Sequence, residues 1–130
     1  MLTEDVRTFA KAGNFAALTT LREDGQPATH VMWVDCDEEC VLINTEEHRH
    51  KASDVQGDPR VTVMIWDKQN PYRYVEVRGR VIERVEGQPA RDHIDELSQR
   101  YRGRLYDPER ITSARIILRI EPLYQRSRGI

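Results

Sequence analysis

The stretch Arg73–Val85, which reads R-Y-V-E-V-R-G-R-V-I-E-R-V, gives the clearest indication of the fold. Side chains along a β-strand alternate between its two faces. Here apolar residues fall on one face and charged residues on the other, with Val75, Val77 and Val81 opposite Glu76, Arg78 and Arg80. This alternation predicts a strand with one buried face. Gly79 inside it predicts a bulge or a tight bend of a barrel.

Five further runs of β-branched and apolar residues predict strands: Phe15–Leu21, Ala28–Asp35, Val41–Thr45, Val61–Trp66 and Ala114–Glu121. Asp24-Gly25 predicts a hairpin turn between the first two. Helices are predicted in three places: between the cap Thr3 and Gly13, over 49–55, and over 88–101. Six strands with few helices predict a mainly β fold, a closed or nearly closed antiparallel barrel.

Length and charge limit the possible functions. A chain of 130 residues is expected to form one domain. Its net charge of −2 does not favour binding to nucleic acid or to an anionic membrane surface. The sequence contains no apolar run near the length that spans a bilayer, and its first residues do not resemble a secretory signal. We therefore expect the protein in the cytoplasm.

The two cysteines, Cys36 and Cys40, flank a short acidic stretch that is typical of a hairpin tip. No second cysteine pair follows at the spacing of a zinc site. We expect two ordinary thiols beside a turn in a reducing compartment, with a disulfide across the hairpin or a metal site as the alternatives.

A basic segment, Thr45–Lys51, joins the third strand to the second helix. The N–H groups at the start of a helix lack intrahelical partners and favour an anion. Arg49 and Lys51 add two cations at this end, where cations do not stabilise the helix itself, and Thr45 adds a hydroxyl donor. These features predict a phosphate site. The alternative is a solvated basic turn paired with Glu46 and Glu47.

Other candidate residues carry weaker signals. Val31, Met32 and Trp33 could form an apolar wall for a flat ring, or they could simply pack in the core. His30 and His93 are isolated histidines, and such residues are more often structural than catalytic. The sequence lacks a nucleophile elbow, a Walker loop and a dinucleotide-binding fingerprint, so no side-chain nucleophile is predicted.

Several of these pieces occur in a recognisable order, which runs from Phe15 to Ile82. The pieces are A-A-L-T-T-L-R-E-D-G-Q-P, M-W-V-D, V-L-I-N-T, R-H-K, D-P-R and Y-V-E-V-R-G-R-V. This order resembles the split β-barrel family of pyridoxamine 5'-phosphate oxidase-like proteins. It is most similar to the branch that uses coenzyme F420, the B-type deazaflavin-dependent oxidoreductases.

The resemblance implies a homodimer with two cofactor sites at the subunit interface. It implies that Arg49 and Lys51, with the intervening His50, hold the cofactor phosphate. The remaining cofactor-binding residues that it implies are Asn44 and Thr45 along the cofactor chain, Val31, Met32 and Trp33 beside the ring, and Tyr74 from the partner subunit. Asp54 departs from the family pattern, which often has Asn there; the change would be accommodated if Asp54 faced solvent or paired with Arg49 or Arg60.

The activity implied by the resemblance is hydride transfer between reduced coenzyme F420 and a small electron-poor organic substrate. In such proteins the cofactor carries the chemistry and the protein supplies position and electrostatics. Two alternatives use the same fold: an FMN-dependent oxidase or reductase, and a non-catalytic protein that binds a cofactor or haem. The sequence does not identify the acceptor, because one fold supports many substrates.

Overall fold

All 130 residues are described by the computed structural model, in which seven antiparallel strands form one sheet in the order β2-β1-β5-β6-β7-β4-β3. The strands are β1 Phe15–Leu21, β2 Pro27–Met32, β3 Asp35–Cys36, β4 Val41–Glu46, β5 Arg60–Asp67, β6 Asn70–Val85 and β7 Arg115–Arg128. The helices are α1 Glu4–Lys11, α2 His50–Gly57 and α3 Gln88–Arg102, with a short 3-10 turn at Pro108–Arg110. The mainly β prediction is confirmed, but the strands number seven rather than six.

The additional strand arises because the predicted run Ala28–Asp35 is interrupted. β2 ends at Met32, and β3 begins at Asp35 on the far edge of the sheet. Between them, the Trp33 ring stacks on Tyr101 of α3 at 5.0 Å and an interplanar angle of 5°. The N–H of Val34 donates to the Tyr101 hydroxyl at 3.1 Å. The helix therefore takes up the backbone hydrogen bond that a neighbouring strand would otherwise accept.

β6 and β7 form the longest strand pair, and its register shifts at Gly79. A Cβ atom at Gly79 would lie 2.1 Å from the carbonyl oxygen of Glu121. The predicted bulge is therefore confirmed, and glycine is required by the close approach of the two backbones. β7 also continues beyond its predicted end at Glu121 to Arg128, pairing with the first half of β6.

The helices cover the sheet where their apolar residues predict. Thr3 caps α1 by accepting a hydrogen bond from the N–H of Val6 at 3.3 Å. The apolar residues of α1 and α3 are buried as predicted: Val6, Phe9 and Ala10 in α1, and Ala90, Ile94 and Leu97 in α3. No helix is both long enough and apolar enough to cross a membrane.

Cys36 and Cys40 are free, buried thiols on either side of the turn between β3 and β4. The N–H of Asp37 donates to the carbonyl of Cys40 at 3.1 Å and closes that turn. The predicted arrangement of two thiols beside a hairpin tip is confirmed. Burial raises the pKa of both thiols, which keeps them in the unreactive protonated form.

Candidate functional site

A cavity of about 650 Å³ opens beside the edge strand β2. Its walls come from β2, the end of β4, the start of α2, the end of α3 and the start of β7. The fold brings seven of the nine predicted cofactor-binding residues to this cavity: Val31, Met32, Trp33, Asn44, Thr45, Arg49 and Lys51. Its size is within the range of small-molecule and cofactor sites.

One wall of the cavity is apolar and aromatic. Trp33 is held by its stacking on Tyr101 and by an edge contact with Tyr106 at 6.2 Å. Phe15 of β1 extends this wall and lies 5.9 Å from the Tyr101 ring. Because β2 is at the edge of the sheet, part of its backbone has no neighbouring strand to bond. This wall can accept a flat ring and offer polar backbone groups to its rim.

The opposite part of the cavity is cationic. Five of its fifteen lining residues are cations, and none is a carboxylate. The cations are Arg49, Lys51, Arg102, Arg110 and Arg115. In a chain whose net charge is −2, this is a marked local concentration of positive charge. The cavity is suited to an anionic ligand that also carries an apolar ring.

Lys51 is the most deeply buried of those cations that have no ion-pair partner. It is only 8% exposed, and its side chain forms no ion pair or hydrogen bond within the chain. Burial lowers its pKa, and the charges of Arg49 and Arg115 lower it further. The ammonium opens onto the cavity without a counter-charge, so an anion bound there would stabilise this part of the cavity.

Arg49 and Thr45 add donors beside Lys51. Arg49 is the N-cap residue of α2, and no side chain caps the helix. Its own side chain is 56% exposed, with a carboxylate oxygen of Glu46 at 4.0 Å. The hydroxyl of Thr45 lines the cavity without a protein hydrogen-bond partner. The N–H of Ala52 already donates to the carbonyl of Arg49 at 3.1 Å, but the N–H groups of His50 and Lys51 have no acceptor within the helix, and they complete a set of donors for one anion.

Arg115 was not predicted as a site residue, because the sequence places it only on the outward face of the last strand. Its Nε donates to Oδ1 of Asn44 at 2.9 Å, and a second nitrogen lies 3.6 Å from Glu46. Its guanidinium lies over the Tyr106 ring at 5.3 Å. Burial lowers its pKa, although an arginine remains charged in proteins.

Glu46 is a buried carboxylate that lies next to the cavity but does not line it. Burial alone would raise its pKa, but hydrogen bonds from the backbone and hydroxyl of Thr112, and the charge of Arg115, lower the pKa overall. Those hydrogen bonds measure 3.0 and 3.1 Å. Glu46 therefore partly balances Arg115 and Arg49 and leaves Lys51 without a counter-charge.

Two predicted residues do not reach the cavity. The His50 ring points away to Arg22, at 2.7 Å from its guanidinium. Tyr74 lies in β6, opposite Trp66 of β5, away from the cavity of its own chain. His50 and Lys51 are adjacent at the start of α2, and adjacent helical residues do not share a face, so His50 points away from the cavity that Lys51 lines.

Asp54 takes neither of the two arrangements that would accommodate it within the family pattern. Asp54 neither faces solvent nor pairs with Arg49 or Arg60. It is buried, accepts a hydrogen bond from the Thr20 hydroxyl at 3.0 Å, and lies 3.5 Å from Arg22. Arg60 instead pairs with Asp58. The carboxylate of Asp54 is thus engaged outside the cavity, so it does not repel an anion bound there.

His30 lies at the cavity wall on β2. Burial lowers its pKa, and the charge of Lys51 lowers it further. The neutral ring can both donate and accept a hydrogen bond. His30 therefore adds a polar group to the cavity without adding a sixth cation near neutral pH.

Three further lining residues are Arg102, the last residue of α3, and Tyr106 and Arg110 from the polar segment that follows it. Arg102 lies over the Trp33 ring at 5.4 Å. None of these three residues was predicted as a site residue, because the polar segment that precedes the last strand matches no binding motif. The only sequence signal for a role in binding was the recurrence of arginine at 102, 104 and 110. That Arg102 and Arg110 line the same cavity as the start of α2 follows only from the fold.

Comparisons with known proteins identify the family to which this fold belongs. The family model described as pyridoxamine 5'-phosphate oxidase matches residues 2–127. A solved structure named F420 reductase is 30% identical, with a TM-score of 0.83, and the match covers 96% of this chain and 98% of that one. No curated protein sequence matches the chain.

Two other solved structures are also similar. A conserved hypothetical protein of Mycobacterium tuberculosis is 25% identical, with a TM-score of 0.78 over 98% of this chain and 85% of that one. General stress protein 26 of Bacillus anthracis shares the fold at 21% identity, with a TM-score of 0.72 over 96% and 92% of the two chains. Since the family model spans nearly the whole sequence, the chain belongs to the pyridoxamine 5'-phosphate oxidase-like split-barrel family.

Proposed function

We propose that this protein is an oxidoreductase that uses coenzyme F420, with the cofactor bound in the cavity beside β2. The observation that carries the proposal is Lys51, a buried cation without a partner in a cavity lined by no carboxylate. A phosphorylated cofactor would supply the missing anion. The similarity to a structure named F420 reductase supports deazaflavin as the ring.

The phosphate is assigned to the start of α2. Lys51 supplies a point charge, Arg49 a planar fork, and Thr45 a hydroxyl donor. The helix N-terminus adds N–H groups that point outward. All these donors lie within one short segment of the chain, so they can surround a single phosphate group.

The ring is assigned to the wall formed by Val31, Met32 and Trp33. Trp33 is fixed by its stacking on Tyr101, which gives the ring a rigid surface. The chemistry supplied when the cofactor is bound is transfer of a hydride from the reduced ring to an electron-poor acceptor. The apolar wall would shield one face of the ring from water once a partner subunit covers its exposed rim, and no side-chain nucleophile is required.

Completion of the site is assigned to a second copy of the chain. Val31 is 67% exposed at the rim of the cavity, and β2 is an unpaired edge. A two-fold partner would cover both features and would bring its Tyr74 towards the ring. We propose a cytoplasmic homodimer with two interfacial sites, and we expect the protein to elute as a dimer.

Turnover tests the proposed activity. Reduced coenzyme F420 is mixed anaerobically with the protein and a panel of quinones, unsaturated lactones and biliverdin-like tetrapyrroles. We expect acceptor-dependent oxidation of the cofactor, and we expect the Lys51→Met variant to lose it at low cofactor concentration. The matched control is Lys68→Met, a change of an exposed lysine outside the cavity.

Tight cofactor binding without oxidation by any acceptor would support the alternative of a sequestering protein. FMN is the second candidate cofactor, because the same phosphate site and ring wall suit it. A purified protein that stays yellow with a flavin spectrum would favour FMN. A colourless protein that changes deazaflavin fluorescence on mixing would favour coenzyme F420.

A further inference from the structure

We infer that His93, held by Asp35, is a positioning residue that fixes Arg115 in the cavity by way of Asn44. This inference rests on the proposed function only in requiring that the cavity binds an anion. His93 lies on α3 and does not line the cavity. Its effect is transmitted through two hydrogen bonds between buried side chains.

The first step fixes the proton of the His93 ring. Nε2 of His93 lies 2.9 Å from Oδ2 of Asp35, and both side chains are less than one-tenth exposed. An ionised carboxylate can only accept hydrogen bonds, so Nε2 carries the proton. In the neutral ring Nδ1 is then an acceptor.

Asp35 is itself firmly held in the ionised state. Lys11 lies 2.8 Å from its carboxylate and Arg100 lies 3.2 Å away. Burial would raise its pKa, but hydrogen bonds from His93 and Lys11 hold that pKa far below its usual range. The carboxylate therefore stays an acceptor and keeps the proton on Nε2.

The second step fixes the side-chain amide of Asn44. Its Nδ2 lies 3.1 Å from Nδ1 of His93 and 2.9 Å from the carbonyl of Ala90. With Nδ1 as an acceptor, both N–H bonds of Asn44 have acceptors. Oδ1 is left facing Nε of Arg115 at 2.9 Å. A flipped amide would turn its N–H groups towards the Nε–H of Arg115 and lose all three bonds.

The third step concerns the position that Arg115 would take without its hydrogen bond to Asn44. Glu46 lies 3.6 Å from its guanidinium and attracts it, since both groups are buried. The bond from Nε to Asn44 resists that movement and keeps Arg115 at the cavity wall. Without His93 the side-chain amide of Asn44 could rotate. Arg115 would then turn towards Glu46, form an ion pair with it and no longer be available to bind an anion.

The test compares four single variants in titrations with inorganic phosphate and with coenzyme F420. His93→Leu removes both ring nitrogens while filling the space. His93→Gln keeps one donor and one acceptor, and Asn44→Ala removes the link without touching His93. Ser98→Ala is the matched control, because Ser98 is a buried residue of α3 whose hydroxyl has no hydrogen-bond partner.

We expect His93→Leu and Asn44→Ala to weaken binding of both anions about tenfold, the effect of losing one hydrogen bond to a charged group. His93→Gln should recover most of the affinity, and Ser98→Ala should match the parent. Thermal melting identifies which variants are folded. If His93→Leu is not, Asn44→Ala carries the test in the Arg115→Ala background, where it should cause no further loss of phosphate affinity, because Asn44 itself lines the cavity.

A double variant separates positioning from general damage. In an Arg115→Ala background, His93→Leu should cause no further loss of phosphate affinity. Any of three results would overturn the inference. His93→Leu could cause an equal loss of affinity in both backgrounds, the folded His93→Leu variant could bind phosphate as tightly as the parent, or the parent could bind no anion. A parent that binds phosphate but not coenzyme F420 contradicts the proposed function, while the phosphate titrations still decide the role of His93.

Discussion

At the residue scale, the cavity depends on cations that the fold does not neutralise. Lys51 is buried without a partner beside two arginines, and such a group lowers the stability of the ligand-free protein. The sequence predicts the binding role of Lys51 but not its burial, because a strand-helix junction is usually solvated. The depth of Lys51 changes the expected effect of its substitution on stability.

We predict that Lys51→Met does not lower the melting temperature of the ligand-free protein, and that it raises it if methionine packs well. Binding of a phosphorylated cofactor should weaken about tenfold or more, as expected for loss of a charge-assisted hydrogen bond. Thermal melting and fluorescence titration measure the two effects. Lys68→Met serves as the control and should change neither.

The pH dependence of binding provides a second prediction. The pKa of Lys51 lies below the ordinary lysine value of 10.5, because of burial and the charges of Arg49 and Arg115. Only the protonated form binds a phosphate well, so affinity should fall as the pH rises through that lowered pKa. Binding should also take up protons in this range.

In Lys51→Arg the guanidinium stays charged at every accessible pH, so the alkaline loss of affinity should disappear. Titrations from neutral to alkaline pH measure both proteins. An equal alkaline loss in Lys51→Arg would assign the titration to another group.

At the scale of elements, the sequence predicts what alternation and capping determine locally. The strands β1, β4, β5 and β6, and the helices α1 and α3, lie close to where their patterns place them. The second half of β7 was missed because its residues are exposed and lack alternation. The break at Trp33 was missed because it depends on Tyr101, which is distant in sequence. The same distance hid Arg115, whereas the residues of Thr45–Lys51 could be found because they are contiguous.

Gly79 provides a prediction for the strand pair β6 and β7. A Cβ atom there would lie 2.1 Å from a backbone oxygen of β7, so Gly79→Ala must separate the strands. We expect it to destabilise the fold by about 3 kcal/mol, at the upper end of overpacking effects.

Gly57→Ala is the matched control for Gly79→Ala. No heavy atom lies within 4 Å of the Cβ position at Gly57, so this change should be neutral or slightly stabilising. Urea unfolding of the two variants gives the comparison. Equal stabilities would show that the strands part without cost.

At the scale of the whole molecule, charge is distributed unevenly. The chain has a net charge of −2, yet five cations line the cavity beside β2 and no carboxylate joins them. A cleft of one sign attracts ligands of the other and raises their local concentration. Anion binding should therefore weaken with ionic strength, because exposed charges such as Arg49 are screened by salt.

The most direct test of the account is an equilibrium titration of the purified protein with coenzyme F420 and, separately, with FMN. We predict saturable binding of coenzyme F420 that is tighter than binding of FMN, that weakens about tenfold or more in Lys51→Met, and that is unchanged in Lys68→Met. Binding of FMN alone would contradict the deazaflavin assignment. Binding of coenzyme F420 with equal affinity to the parent and to Lys51→Met would contradict the placement of its phosphate at the start of α2.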